Sequence, residues 1–166
     1  VFPMVAKREH AKSLPILLEK VLKEAGDSIS FDISNDIENT EDVWNKVEKI
    51  LEREEGLYTG LRKVLEKVKR PEIDLISVTS GPGLEPALWV GISCAKALSI
   101  LWNIPVAPVN HMEGHITSIL VENADQRKIE FPALSVLISG GHTEIVLTNN
   151  WGEYEIIGQT VDDAVG

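Results

Sequence analysis

The sequence predicts an α/β protein with a mixed sheet and covering helices, and three observations predict it. Apolar residues recur at helical spacing in three segments between residues 13 and 68. A strand, a helix, a strand and a helix then alternate over residues 75–121, the order of a parallel pair with crossover helices. Three short strands follow one another over residues 133–158, as in antiparallel hairpins.

Three amphipathic helices are predicted first. Ser13–Ala25 has apolar residues at helical spacing, and Gly26 supplies a C-terminal stop. Glu41 and Asp42 favour the start of a second helix, because the helix dipole stabilises acidic side chains there. The second and third helices carry apolar stripes that must be buried, and we expect them to pack within the chain rather than on a partner. The two stripes are Val43, Val47, Ile50 and Leu51, then Leu57, Leu61, Val64, Leu65 and Val68.

The alternating segment begins with an apolar run, Leu75–Val78, which predicts a buried strand closed by the turn at residues 80–83. Pro86–Trp102 is predicted as a helix with proline at its first position. Ile104–Val109 follows as a strand and His111–Val121 as a helix. The last three predicted strands are Ala133–Ser139, Thr143–Thr148 and Glu153–Gly158.

Composition and charge exclude several classes of protein. The 166 residues include 26 acidic and 16 basic side chains, a net charge of −10, so unaided nucleic-acid binding should be weak. Ten acidic and three basic residues lie between Asp27 and Glu55, which we interpret as a solvated face, with a surface for a basic partner protein as the alternative. The apolar stretch 87–102 is interrupted by polar residues and glycine, so we expect no membrane span. The lone cysteine, Cys94, excludes an intramolecular disulfide and is predicted to be buried and unreactive.

The strongest candidate for chemistry is a pair of histidines. His111 and His115 stand four residues apart, which on a helix places both imidazoles on one face, close enough to hold one metal ion. Ordinary surface or core histidines are the alternative. Glu113 lies two residues from each histidine, so it points away from a metal held by both. This geometry disfavours a zinc peptidase, which needs a glutamate poised as general base.

A second candidate is the connection between two predicted strands, with the sequence Ser139-Gly140-Gly141. Glycines and a hydroxyl in such a hairpin let backbone N–H groups approach a phosphate. An ordinary hairpin with two glycines in its turn has the same sequence signature. The residues alone leave both interpretations open.

Eight short segments carry a combined pattern: Val1–Pro3, Arg8–His10, Thr79–Leu84, Val90–Gly91, Ala95–Lys96, Val109–His115, Ser139–Thr143 and Gly158–Gly166. Taken together, they resemble the TsaD/Gcp family of tRNA threonylcarbamoyladenosine-forming enzymes. The resemblance implies an actin-like ATPase (ribonuclease-H-like) fold of two lobes. Residues 1–121 would belong to the first lobe, with an acidic helical insertion at 27–72, and residues 131–166 would begin the second. It also implies further chain on both sides, including the third metal ligand, an Asp, so we expect this fragment alone to be inactive.

The resemblance also implies a function. The whole enzyme would transfer a threonylcarbamoyl group from threonylcarbamoyl-AMP to N6 of an adenosine beside the tRNA anticodon. His111 and His115 would hold one divalent metal ion, Fe or Zn. The acyl-adenylate, or an adenine nucleotide, would bind Leu137, Ile138, Ser139, Gly140 and Gly141. Partner subunits would hold the tRNA, and one of them, a paralogue, would form a dimer with this chain. The enzyme would act in the cytoplasm. A non-catalytic paralogue acting as a scaffold and an actin-fold ATPase are the competing interpretations.

Overall fold

The computed structural model describes residues 2–25, 41–68, 71–118, 129–138 and 143–161. The chain divides into two compact units, residues 1–110 and residues 111–166. The first unit contains the first four helices and the parallel strand pair. The second unit contains the helix that begins at His111 and the last three strands.

Four helices make up most of the first unit. They are α1 (Pro3–Glu24), α2 (Glu41–Leu51), α3 (Leu57–Leu65) and α4 (Glu85–Trp102). The helix α1 begins ten residues before the predicted start at Ser13, with proline at its first position, where the missing N–H costs no hydrogen bond. The other three helices agree with the prediction to within a few residues. In the described ranges, no helix combines the length and apolarity needed to cross a membrane.

The helices α2 and α3 are folded onto α1 and α4 rather than projecting into solvent. The helix α2 contacts α4, and α3 contacts α1. Both predicted stripes therefore lie in one core, which confirms that they pack within the chain. The helices α2 and α3 follow each other in the chain and are called the α2–α3 hairpin below. Burial of their apolar surface supplies the main free energy that holds this hairpin in place. The core side chains of these four helices include Leu22, Trp44, Val47, Leu51, Leu57, Leu61, Leu65, Val90, Leu98, Leu101 and Trp102.

Two local features fix how the α2–α3 hairpin sits on α1. Gly60 lies so close to α1 that a Cβ atom placed on it would be 2.6 Å from Pro15 Cγ. Glu54, in the connection between α2 and α3, is buried, and its Oε2 atom lies 3.1 Å from Lys7 Nζ. That separation makes an ion pair, although its angles fall outside hydrogen-bond geometry. A buried carboxylate needs such a partner, because an isolated buried charge is costly.

The strands of the first unit are β1 (Ile76–Gly81) and β2 (Val106–Asn110), which pair in parallel through the crossover helix α4. This confirms the predicted strand-helix-strand order. The helix packs against β1 at Gly91, where an added Cβ would meet Val78 Cγ2 at 3.6 Å, an ordinary contact distance. Ser80 Oγ donates a hydrogen bond to the carbonyl oxygen of Val109 at 3.3 Å, which ties the end of β1 to β2.

The second unit contains α5 (His111–Ser118) and an antiparallel sheet of three strands in the order β3-β4-β5. These are β3 (Ala133–Ile138), β4 (Thr143–Asn150) and β5 (Glu153–Gln159). Each lies where the sequence predicts a strand. The helix α5 contacts β3. Met112 and Ile116 on α5 are buried, and Val146 on β4 is buried as well.

Cys94 is predicted to be unreactive, and the structure gives the physical reason. Its side chain is buried in α4, and burial raises the pKa of the thiol to about 11. At pH 8 the folded chain should react with a thiol reagent such as DTNB far more slowly than the urea-unfolded chain, because only the thiolate is nucleophilic. Equal rates of reaction would contradict the burial of Cys94.

The same raised pKa gives a pH dependence of stability. The folded state retains the Cys94 proton to a higher pH than the unfolded state does. The contribution of the protonated thiol to the free energy of unfolding is therefore complete below the unfolded-state pKa of about 8.5. It is lost as the pH rises through about 11, the folded-state pKa of Cys94.

Candidate metal centre

The two histidines begin the helix that directly follows β2. The strand ends at Asn110 and α5 starts at His111. One turn of helix separates His111 from His115, so both project from one face. Met112 and Ile116 each follow a histidine and are buried, whereas both histidines are exposed. Burial of the apolar side of α5 therefore turns the imidazole pair outward.

The two imidazole rings converge. Their centroids lie 4.5 Å apart at an interplanar angle of 69°, and the two Nε2 atoms are 3.2 Å apart. With Zn–N bonds of 2.0–2.1 Å and a tetrahedral angle, two ligand nitrogens of one zinc ion stand about 3.3 Å apart. The pair therefore fits two adjacent positions of a metal ion's coordination sphere. This confirms that the predicted spacing brings both side chains together.

The same separation permits a hydrogen bond between the rings. One Nε2–H then donates to the Nε2 of the other ring, which requires a different tautomer on each histidine. Metal binding requires both Nε2 atoms to be free of protons, so each ring would carry its proton on Nδ1. Within the described residues, no group of three or more His, Cys, Asp or Glu side chains could complete a metal site. The structure thus brings the two predicted side chains, His111 and His115, together, and their binding of a metal ion stays a prediction.

The hairpin predicted to bind the acyl-adenylate is described in part. Leu137 and Ile138 end β3, opposite Glu144 and Thr143 of β4. The two strands pair in antiparallel register up to Ile138 and Thr143, as the sequence predicts for these strands. Ser139, Gly140 and Gly141 lie outside the described residues, so their proposed contact with a phosphate stays a prediction.

The fold and the site together define an α/β protein with a converging pair of histidine side chains at the start of α5. Comparison with known proteins specifies the family. The family described as "TsaD: tRNA N6-adenosine threonylcarbamoyltransferase" matches residues 55–166. The chain belongs to this family.

Relatives in several bacteria carry the same printed name, tRNA N6-adenosine threonylcarbamoyltransferase. The Carboxydothermus hydrogenoformans protein is 45% identical over 112 residues, and the Dictyoglomus turgidum protein is 48% identical over 115 residues. Each of these alignments covers 68% of this chain and 33% of the relative. The Chromobacterium violaceum protein is 51% identical over 98 residues, which cover 59% of this chain and 28% of that protein. The chain therefore spans about a third of the length of the curated relatives it matches.

Proposed function

We propose that this chain forms part of a tRNA N6-adenosine threonylcarbamoyltransferase. This acyltransferase would move the threonylcarbamoyl group of threonylcarbamoyl-AMP to N6 of an adenosine in tRNA. The observation that carries the proposal is the approach of His111 Nε2 to His115 Nε2, 3.2 Å apart, in a chain of this family. It supports a metal-dependent enzyme over a scaffold paralogue, because a scaffold has no need of two ligands held at coordination distance.

The histidine pair would hold the divalent ion, Fe or Zn, at one end of α5. Such an ion supplies Lewis-acid polarisation of a carbonyl or phosphoryl oxygen when it is bound. His111 and His115 would offer Nε2 lone pairs and keep their protons on Nδ1. The burial of Met112 and Ile116 holds α5 in place, so the two ligands keep their direction without a large entropic cost.

The hairpin between β3 and β4 would bind the nucleotide portion of the acyl donor. Backbone N–H groups near Ser139, Gly140 and Gly141 would donate to the phosphate, and such fixed donors stabilise developing negative charge. Leu137 and Ile138, at the end of β3, would line the same site.

The remaining parts of the proposal concern fold and partners. We place residues 1–121, with the acidic insertion 27–72, in the first lobe of an actin-like ATPase fold and residues 131–166 at the start of the second. The net charge of −10 supports a protein that depends on partner subunits, including a paralogue, to hold tRNA. The cytoplasm is the compartment we propose, because it holds the tRNA substrate.

A chimera tests the proposed function directly. Residues 55–166 of this chain replace the matching segment of the Dictyoglomus turgidum relative, and transfer is measured on an unmodified tRNA transcript supplied with threonylcarbamoyl-AMP and the relative's partner proteins. We expect the chimera to modify the tRNA, whereas the 166-residue chain alone gives no product. The same chimera with His111→Ala is the matched control. A chimera with the circular dichroism and melting behaviour of a folded protein but no transfer would contradict the proposal.

A further inference from the structure

The pairing of β1 with β2 is irregular where the two strands end. Thr79 lies opposite Val109, and Gly81 lies opposite Asn110. Ser80 is therefore an extra residue on β1 that has no counterpart on β2. An extra residue of this kind interrupts the ladder of backbone hydrogen bonds, and such bulges are common beside functional sites, where they direct a side chain. The side chain of Ser80 lies at this interruption.

The hydroxyl group of Ser80 joins the end of β1 to the end of β2. Its Oγ donates a hydrogen bond to the carbonyl oxygen of Val109 at 3.3 Å. The next residue, Asn110, ends β2, and α5 begins at His111. This bond therefore holds the backbone two residues before the first histidine of the candidate metal centre.

The backbone of His111 depends on the strand that precedes it. His111 is the first residue of α5, and the first N–H groups of a helix have no acceptor within that helix. The helix α5 has only eight residues, a length that is unstable without contacts from outside the helix. His115 lies one turn further into α5. Fraying at the end of β2 would therefore act first on His111 and would change the separation of the two Nε2 atoms, which is 3.2 Å.

We propose that Ser80 is a positioning residue of the metal centre. Its hydroxyl group fixes the end of β2, so that His111 and His115 keep their Nε2 atoms at coordination distance. This inference rests on the proposed metal-dependent function. Ser80 acts through the carbonyl group of Val109 and the backbone that follows it, not as a ligand. The net contribution of one hydrogen bond corresponds to about a 2–10-fold change in an equilibrium constant, which sets the effect expected on metal binding.

The Zn²⁺ affinity of the chimera that carries residues 55–166 tests this role, measured by competition with a chromophoric chelator. Ser80→Ala should raise the dissociation constant for Zn²⁺ by about 2–10-fold. Ser80→Thr keeps a hydroxyl group at Cβ and should restore the affinity. Ser99→Ala is the matched control, because Ser99 Oγ donates to the carbonyl oxygen of Ile104 at 2.6 Å, near the opposite end of β2. It removes the same kind of bond and should leave the Zn²⁺ affinity unchanged.

Urea unfolding checks that each variant is folded before its affinity is compared. The inference is overturned if Ser80→Ala binds Zn²⁺ as tightly as the unmodified chimera, if Ser80→Thr binds no better than Ser80→Ala, or if Ser99→Ala weakens binding equally. A chimera that shows the expected differences in Zn²⁺ affinity but transfers no threonylcarbamoyl group would support this inference and contradict the proposed function. An unmodified chimera that is folded and binds no Zn²⁺ would overturn both.

Discussion

Replacing His111 by alanine should remove the bound metal ion from the complete enzyme and abolish threonylcarbamoyl transfer. The two Nε2 atoms, 3.2 Å apart, would provide two ligands of the proposed metal centre. Deleting one leaves a single imidazole from α5. Loss of outer-shell partners alone costs metal sites about 10–100-fold in affinity, so we expect the loss of a direct ligand to exceed about 100-fold.

The measurement is metal content per chain, by elemental analysis of the purified chimera, alongside its transfer activity. His10→Ala in the 166-residue chain is the matched control for Zn²⁺ binding by that chain: His10 is an exposed histidine on α1, in the other unit, and its loss should leave the binding unchanged. Stoichiometric metal in a His111→Ala, His115→Ala double variant would show that the ion is held elsewhere. The 166-residue chain, with only two ligands in its described part, should bind Zn²⁺ weakly and lose even that on His111→Ala.

The order of elements could be predicted from the sequence, because each element carries its own periodicity. The α2–α3 hairpin, the β1-α4-β2 crossover and the three last strands all lie where the apolar patterns place them. Element ends were less predictable. The prediction missed the start of α1 because residues 3–12 are mostly exposed and half of them are polar, and their helix is supported by contacts distant in sequence. Lys7 forms an ion pair with Glu54, and the local sequence pattern does not predict that pair.

The end of β1 shows the same limit at a turn. The sequence predicts a turn at Ser80 and Gly81, since serine and glycine are common in turns. In the structure, β1 extends through Gly81, which pairs with Asn110 across a local irregularity in the register. The hydrogen bond from Ser80 Oγ to Val109 supports this extension. A partner strand some thirty residues away decides the boundary, and a local pattern cannot contain that information.

In the candidate site, too, the local arrangement could be predicted from the sequence and the rest could not. Helical spacing predicted that His111 and His115 share a face, because that depends only on the period of α5. The convergence of the rings depends on side-chain rotamers and on the burial of Met112 and Ile116, which set how α5 lies on the sheet. A third ligand has no fixed distance along the chain from the first two. For that reason, sequence spacing predicts only the two candidate ligands that lie on one helix.

Gly60→Ala should destabilise the first unit, although alanine is the better helix former. The new Cβ would lie 2.6 Å from Pro15 Cγ and 3.0 Å from Pro15 Cβ. The proline ring is closed onto its own backbone, so it cannot rotate away, and α3 must move off α1. Overpacking of this kind costs about 1–3 kcal/mol, against a gain of about 0.5–1 kcal/mol from replacing glycine in a helix. We therefore expect the free energy of unfolding to fall by about 1–2 kcal/mol.

Gly91→Ala is the matched control, because Gly91 is a helical glycine in the same unit. Its added Cβ would meet Val78 Cγ2 at an ordinary 3.6 Å, so we expect a gain of about 0.5–1 kcal/mol from the lost flexibility of the unfolded chain. Urea unfolding followed by circular dichroism measures both variants. A double-mutant cycle with Pro15→Ala then isolates the contact between α1 and α3: the cost of Gly60→Ala should shrink or change sign once the ring is absent. An unchanged cost would mean that Pro15 and Gly60 are not in contact, and that the α2–α3 hairpin is held on α1 by other residues.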